Sequence, residues 1–306
     1  AAAAIAAAVN DMIFKNAQRK RGIAGAGAKE LAYAWKFGAV RYSVSGEGSP
    51  VLLIHGLYFG CGRHEWRNNI GALSRRYKVY ALDLIGFGFS EKPGISYSPY
   101  LYSTLINDFI REVIGEKTAV AANSESAAFV LAAYTFAPEQ YSKLLLISPT
   151  GVGNARRRAA SAKDKWLQSV LDSPVLGTSF YTLLNAKWNM KKFMAYELFS
   201  DPAMISDAFL DDCYAAAHDG GPNAKYAHSA YIANFLALDV ERMIAHLSVP
   251  AHVVWGAESV TVPAANADVL QELNPEIELT VFANAKKLPH AENAKAFNAL
   301  CQEFFG

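Results

Sequence analysis

Cysteine is scarce in this chain, and neither sign of charge is in surplus. Three cysteines in 306 residues, at 61, 213 and 301, are odd in number and lack metal-site spacing. That argues against a disulfide framework and a cysteine-based zinc site, and favours a reducing, cytoplasmic setting. A net charge of +1 with 19% charged residues gives no electrostatic reason to expect nucleic acid as a partner. Long apolar runs are lacking too. The start, Ala1 to Val9, is far short of the about 20 residues that cross a bilayer, and a multi-span membrane protein is excluded. There is no internal repeat. What the chain does have is 52% hydrophobic and 12% aromatic residues, enough for one large domain carrying a sizeable insertion.

The first 34 residues stand apart. The alanine-rich start runs through Asn10 to Lys15 into the basic Arg19-Lys20-Arg21, which is how a membrane anchor ends on its cytoplasmic side. An Ala-rich surface helix, or alanines standing in for unassigned side chains, are the competing readings. Residues 22–28 read as a flexible Gly/Ala linker.

From Trp35 onward, strands and helices alternate. Strands are predicted at 39–44, 51–55, 78–84, 118–122, 144–148, 252–255 and 278–282, mostly as continuous apolar runs suited to burial on both faces. Helices are predicted near 65–76, 98–115, 125–136, 264–273 and 293–304; Leu101, Leu105, Phe109 and Val113 show the three-to-four spacing. Such alternation predicts a mostly parallel α/β sheet flanked by helices. Residues 152–240 break the pattern with helical, aromatic-rich segments and no strand, as expected of a cap over one end of the sheet. The predicted segments are therefore 1–34, a core at 35–151, the cap at 152–240 and the rest of the core at 241–306.

Three motifs follow in order: Val51-Leu-Leu-Ile-His55-Gly56-Leu57, then Tyr80-Ala-Leu-Asp83-Leu-Ile-Gly86-Phe-Gly88-Phe-Ser90, then Val120-Ala-Ala-Asn123-Ser124-Glu125-Ser126. Their order and spacing resemble the α/β-hydrolase superfamily over roughly residues 36–306, within it the capped esterases, epoxide hydrolases and carbon–carbon bond hydrolases. The resemblance places the cap after the sixth strand. It makes Ser124 the nucleophile on the sharp turn after the fifth strand, where Gly-x-Ser-x-Gly is usual and Ala122 and Ser126 replace the glycines. It gives the oxyanion donors as the backbone N–H groups of Leu57 and Glu125. A carboxylate at 125 would oppose the developing charge unless it turns away or is paired. His55 is expected to brace the oxyanion loop, and Ser124 without catalysis would be a helix cap.

The base and the acid depart from the family pattern. Trp255-Gly256-Ala257-Glu258-Ser259 puts Ser259 where the acid should stand and Glu258 one residue early. Lys286-Lys287-Leu288-Pro289-His290 puts Lys287 at the catalytic histidine and His290 three residues late. Serine needs a proton acceptor, and lysine serves only when desolvation lowers its pKa from about 10.4. Three readings stay open: a Ser124–Lys287 dyad, a relocated His290 partnered by Glu258 or Asp239, or no conventional base. The cap histidines His218 and His228 could face the cleft, though a structural role is commoner; His64, His246 and His252 carry no assignment. No metal or nucleotide cofactor is expected, since Gly86-Phe-Gly88 lacks the third glycine of a dinucleotide fingerprint. Arg156-Arg157-Arg158 reads as a solvated helix end, with anionic lipid as the weaker alternative. The expected function is hydrolysis of an apolar ester or acyl small molecule by a divergent serine hydrolase. The rival is an inactive hydrolase fold that binds a small ligand or a protein partner. The sequence leaves the oligomeric state open.

Overall fold

The computed structural model describes residues 2–18, 29–153 and 160–306. The basic runs at 19–21 and 156–158, and the 22–28 linker, lie outside the described residues. Eight strands form one sheet: β1 (Lys29–Trp35), β2 (Gly38–Ser45), β3 (Pro50–Ile54), β4 (Lys78–Leu82), β5 (Thr118–Asn123), β6 (Tyr141–Ile147), β7 (Ala251–Gly256) and β8 (Glu278–Phe282). Their spatial order is β1-β2-β4-β3-β5-β6-β7-β8. β2 pairs antiparallel with both β1 and β4, and every pairing from β4 to β8 is parallel. Seven strands fall where the apolar runs predict them. β1 does not: its seven residues lie almost wholly within the segment read as helix and linker.

Period-two alternation splits the strand side chains between two buried faces. Leu52, Ile54, Val120, Ala122 and Leu146 face one side, and Val51, Leu53, Ala121, Leu145 and Ile147 face the other. Helices cover both: α1 (Ala2–Gln18) precedes the sheet, and α2 (Ile70–Leu73), α3 (Pro99–Phe109) and α4 (Glu125–Phe136) belong to the core. Ser98 caps α3 by accepting from Leu101 N, with Pro99 in the first turn.

Between β6 and β7 the described residues form helices joined by loops and no strand. It contains α5 (Ala162–Asp172), α6 (Leu176–Leu184), α7 (Lys187–Phe193), α8 (Asp207–His218), α9 (Lys225–Ile232) and α10 (Glu241–Ala245). The core closes with α11 (Asn266–Leu273), α12 (Pro289–Glu292) and α13 (Ala294–Phe305). A capping box opens α5, Ser161 accepting from Asp164 N while the Asp164 carboxylate accepts from Ser161 N.

α1, where the sequence suggested the end of an anchor, packs on the cap. Its Asn10 donates to Ser179 Oγ at 3.0 Å and accepts from Thr182 Oγ1 at 3.0 Å. Phe14 is buried beside Tyr181 and Ala224. The helix thus lies on the cap, and among the described residues no helix is long and apolar enough to cross a membrane.

Candidate active site

The site begins at a backbone turn. Between β5 and α4, Ser124 adopts φ 56° and ψ −121°, a conformation that costs a non-glycine residue about 1–3 kcal/mol. Its amide donates to Ile147 O at 2.8 Å, tying the turn to the neighbouring strand. The replacement of the flanking glycine by Ser126 is accommodated because Ser126 Oγ donates to His55 O at 2.6 Å. Ser124 does not cap α4 through its side chain; its Oγ is buried and has no hydrogen-bond partner among the described residues. Among the described residues no basic nitrogen hydrogen-bonds to it.

The oxyanion loop is braced from beneath. His55 Nε2 accepts from Leu84 N at 3.1 Å, so Nδ1 carries the proton and donates to Gly56 O at 2.7 Å. His55 therefore holds the loop, as expected. Gly56 has to be glycine, because a Cβ there would stand 2.6 Å from Asn123 Nδ2. Glu65, fully buried on a short turn at Arg63–Trp66, accepts from Gly56 N at 3.0 Å and Asn123 Nδ2 at 3.1 Å. Asp83, from the second motif, is equally structural: it accepts from Arg63 N, Arg63 Nη1 and Phe89 N.

His290 does not relocate to the serine. Its Nε2 lies 3.1 Å from Glu65 Oε1, and its ring packs 4.4 Å from Trp66. Burial pushes the Glu65 carboxyl up, yet His290, His55 and the Gly56 N–H outweigh it and hold the pKa below the usual carboxylate value. Glu258 is not the partner of His290 either. It is exposed and accepts from Ser200 Oγ, because a solvated carboxylate gains little from a ring that a buried one already faces. Asp239 stands just before α10 and accepts from Glu241 N at 3.2 Å.

Lys287 enters from the loop between β8 and α12, almost wholly buried. Its Nζ lies 3.6 Å from Glu125 Oε2 and 3.5 Å from Leu57 O. One ammonium group thus spans the two residues assigned to the oxyanion site, and Glu125 is paired rather than bare. Burial pushes the Lys287 pKa down, but Glu125, Tyr231, Glu197 and Glu65 prevail and hold it above the ordinary lysine value. A base needs the opposite shift, and the structure pairs Lys287 with Glu125 while Ser124 Oγ has no hydrogen-bond partner among the described residues.

One residue escaped the sequence reading. Glu197, buried in the cap, accepts from Thr261 Oγ1 and leaves Oε2 without a hydrogen-bond partner. Thr261 belongs to the loop where the acid was expected, and Ser259 in that loop is buried with an unpartnered Oγ. The only sequence signal was a glutamate set in the apolar run Phe193-Met-Ala-Tyr-Glu197-Leu-Phe. The cap histidines prove to be packing residues. His228 stacks on Phe59 with 4° between the planes, and burial lowers its pKa to about 4. His218 is buried against Tyr214, with Nδ1 at 2.8 Å from Tyr214 O. Among the described residues no group of three or more His, Cys, Asp or Glu could hold a metal ion.

Comparison with known proteins agrees with this architecture. A hydrolase of 2-hydroxy-6-oxo-6-(2'-aminophenyl)hexa-2,4-dienoic acid from Metapseudomonas resinovorans is 28% identical over 253 residues, covering 78% of this chain and 79% of the relative. A pimeloyl-[acyl-carrier protein] methyl ester esterase from Aliivibrio fischeri is 23% identical, covering 84% of this chain and 93% of its own. The crystal structure of a serine hydrolase involved in carbazole degradation superposes with a TM-score of 0.74 at 22% identity, over 91% of this chain and 99% of that one. Several of its relatives and structural neighbours are thus hydrolases and esterases by name. Residues 51–300 match the alpha/beta hydrolase family, and the chain belongs to it.

Proposed function

We propose that the chain is a slow hydrolase of small apolar esters or related acyl compounds. Ser124 supplies the nucleophile, and the Leu57 and Glu125 amides supply the oxyanion site. The observation that carries this reading is the strained Ser124 turn with its hydroxyl unpartnered. Strain of that kind persists where a site needs it. In the acylation step Ser124 Oγ bonds to the carbonyl carbon, the ester C–O bond breaks, and the serine proton passes through water, rather than a side chain, to the leaving oxygen, which departs as the alcohol. A second water then cleaves the acyl-serine, releasing the acid and restoring the Ser124 hydroxyl. Losing triad members costs a serine hydrolase several powers of ten in rate, and that loss makes the proposed turnover slow.

A second reading, ligand binding without turnover, is favoured by the complete burial of Ser124. Release of p-nitrophenol from p-nitrophenyl butyrate separates the two. Slow turnover is expected in the native chain and none in Ser124→Ala. A rise of about a hundredfold is expected in Lys287→His/Ser259→Asp, which rebuilds the missing base and acid. Turnover that survives Ser124→Ala, or that is absent from both the native and the rebuilt chain, removes the hydrolase reading.

A further inference from the structure

The cap presents apolar side chains to solvent on helices that touch one another. On α6, Leu176, Phe180 and Leu183 are exposed at positions i, i+4 and i+7, with Leu176 at 74%. Gly177, Thr178, Tyr181 and Thr182 turn inward instead. The polarity of this amphipathic helix is inverted, its large apolar residues lying outside. α6 packs against α5, α7 and α1. α5 exposes Trp166 and α7 exposes Trp188, at 65% and 57%. Single exposed apolar residues are ordinary, but five large ones on three neighbouring helices are the kind of surface that marks an interaction site.

The charge around it selects the occupant. From 160 to 193 the chain carries five lysines and two aspartates. Both aspartates are engaged locally, Asp164 in the α5 capping box and Asp172 with Ser229 Oγ. Lys163, Lys165, Lys191 and Lys192 are exposed, and Lys192 Nζ sits 5.4 Å from the Trp188 ring centre. A second copy of this face would set lysines against lysines. An anionic bilayer surface complements both features, since aromatic rings and long lysine stems settle at the headgroup level while anionic lipids attract the ammonium groups.

We infer that the α5–α7 face of the cap docks onto anionic phospholipid membranes as a peripheral surface. The inference does not depend on turnover at Ser124.

The test is flotation of the full chain with phosphatidylcholine vesicles containing phosphatidylglycerol, and with phosphatidylcholine alone, followed by tryptophan emission. Trp35, Trp66 and Trp255 are buried, so an emission change reports Trp166 and Trp188. Co-flotation with the anionic vesicles and a blue shift are expected, weakened by high salt. Leu176→Asp/Leu183→Asp should lower vesicle partitioning about tenfold or more with little change in melting temperature, since both side chains are more than half exposed. Absence of flotation with either vesicle overturns the inference, as does equal partitioning of native and variant chains. So does a dimer in sedimentation equilibrium that the variant disrupts while vesicles bind neither form.

Discussion

Removing the Lys287 ammonium while leaving its shape, as in Lys287→Met, strands the Glu125 carboxylate in a nearly closed site. Breaking a buried ion pair from one side costs about 3–5 kcal/mol. The Glu125 side chain is still 12% exposed, and the contact to Leu57 O is long, so the lower end of that range applies. We predict a loss of about 3 kcal/mol, seen as a shift of the urea midpoint at constant slope and a fall in melting temperature of about 6 °C. Glu125→Gln/Lys287→Met should recover all but about 1 kcal/mol, so the double variant should cost less than the sum of the two singles by about 2 kcal/mol plus whatever Glu125→Gln costs alone. Because the folded-state pKa of Lys287 is raised, the pair's contribution is fully present below the unfolded lysine value of about 10.4. It is lost only as pH rises through the higher folded value, so the cycle should read the same across the neutral range. A single Lys287→Met within about 0.5 kcal/mol of the native chain, or strictly additive effects in the double variant, would refute the ion pair as the reason that Lys287 is not a base.

Other consequences are independent of that cycle. Glu125→Gln removes the largest influence raising the Lys287 pKa; burial should then lower it, and reaction at Ser124 should increase toward alkaline pH, an increase that Glu125→Gln/Lys287→Met lacks. Ser124→Gly relieves the positive-φ strain and should stabilise the fold by about 1 kcal/mol in urea denaturation while removing the nucleophile; a destabilised variant would show the turn to be unstrained. Burial lowers the pKa values of His64 and His228 to about 4, so both stay neutral in the fold while the unfolded chain takes up protons from about pH 6.5. Stability should therefore fall as pH drops from about 6.5 toward 4, by at most about 3 kcal/mol per histidine. His228→Phe should flatten that slope, and a pH-independent melting temperature over this window would contradict it.

Most of the architecture is legible because strands buried on both faces leave continuous apolar runs, as in Val51-Leu-Leu-Ile54 and Thr118-Ala-Val-Ala-Ala122. β1 escaped that filter. As an edge strand paired only with β2, its Leu31, Tyr33 and Trp35 face inward while Glu30, Ala32 and Ala34 are exposed, a weak alternation following a Gly/Ala stretch. The serine turn and the bracing role of His55 are local, set by a few consecutive residues, and could be read from them. The charge partners are not. Glu65 faces His290 across 225 positions, and Glu125 meets Lys287 across 162. Such pairs depend on where long loops return, and so does the seat of Glu197, fixed by a cap whose packing no motif records. The N-terminal helix shows the same limit: its composition suggests an apolar segment, while Asn10 and Phe14 set the face that the cap receives.

The account turns on whether Ser124 has a proton acceptor, and the rate at which a fluorophosphonate labels Ser124 between about pH 6 and about pH 10 tests it most directly. Slow labelling is expected in the native chain, with no inflection near the histidine range and none at all in Ser124→Ala. Lys287→His/Ser259→Asp should label about a hundredfold faster, with an inflection near neutral pH. Native labelling as fast as that of the rebuilt triad, rising through an inflection near pH 7, would show that a working base reaches Ser124 and would contradict the account.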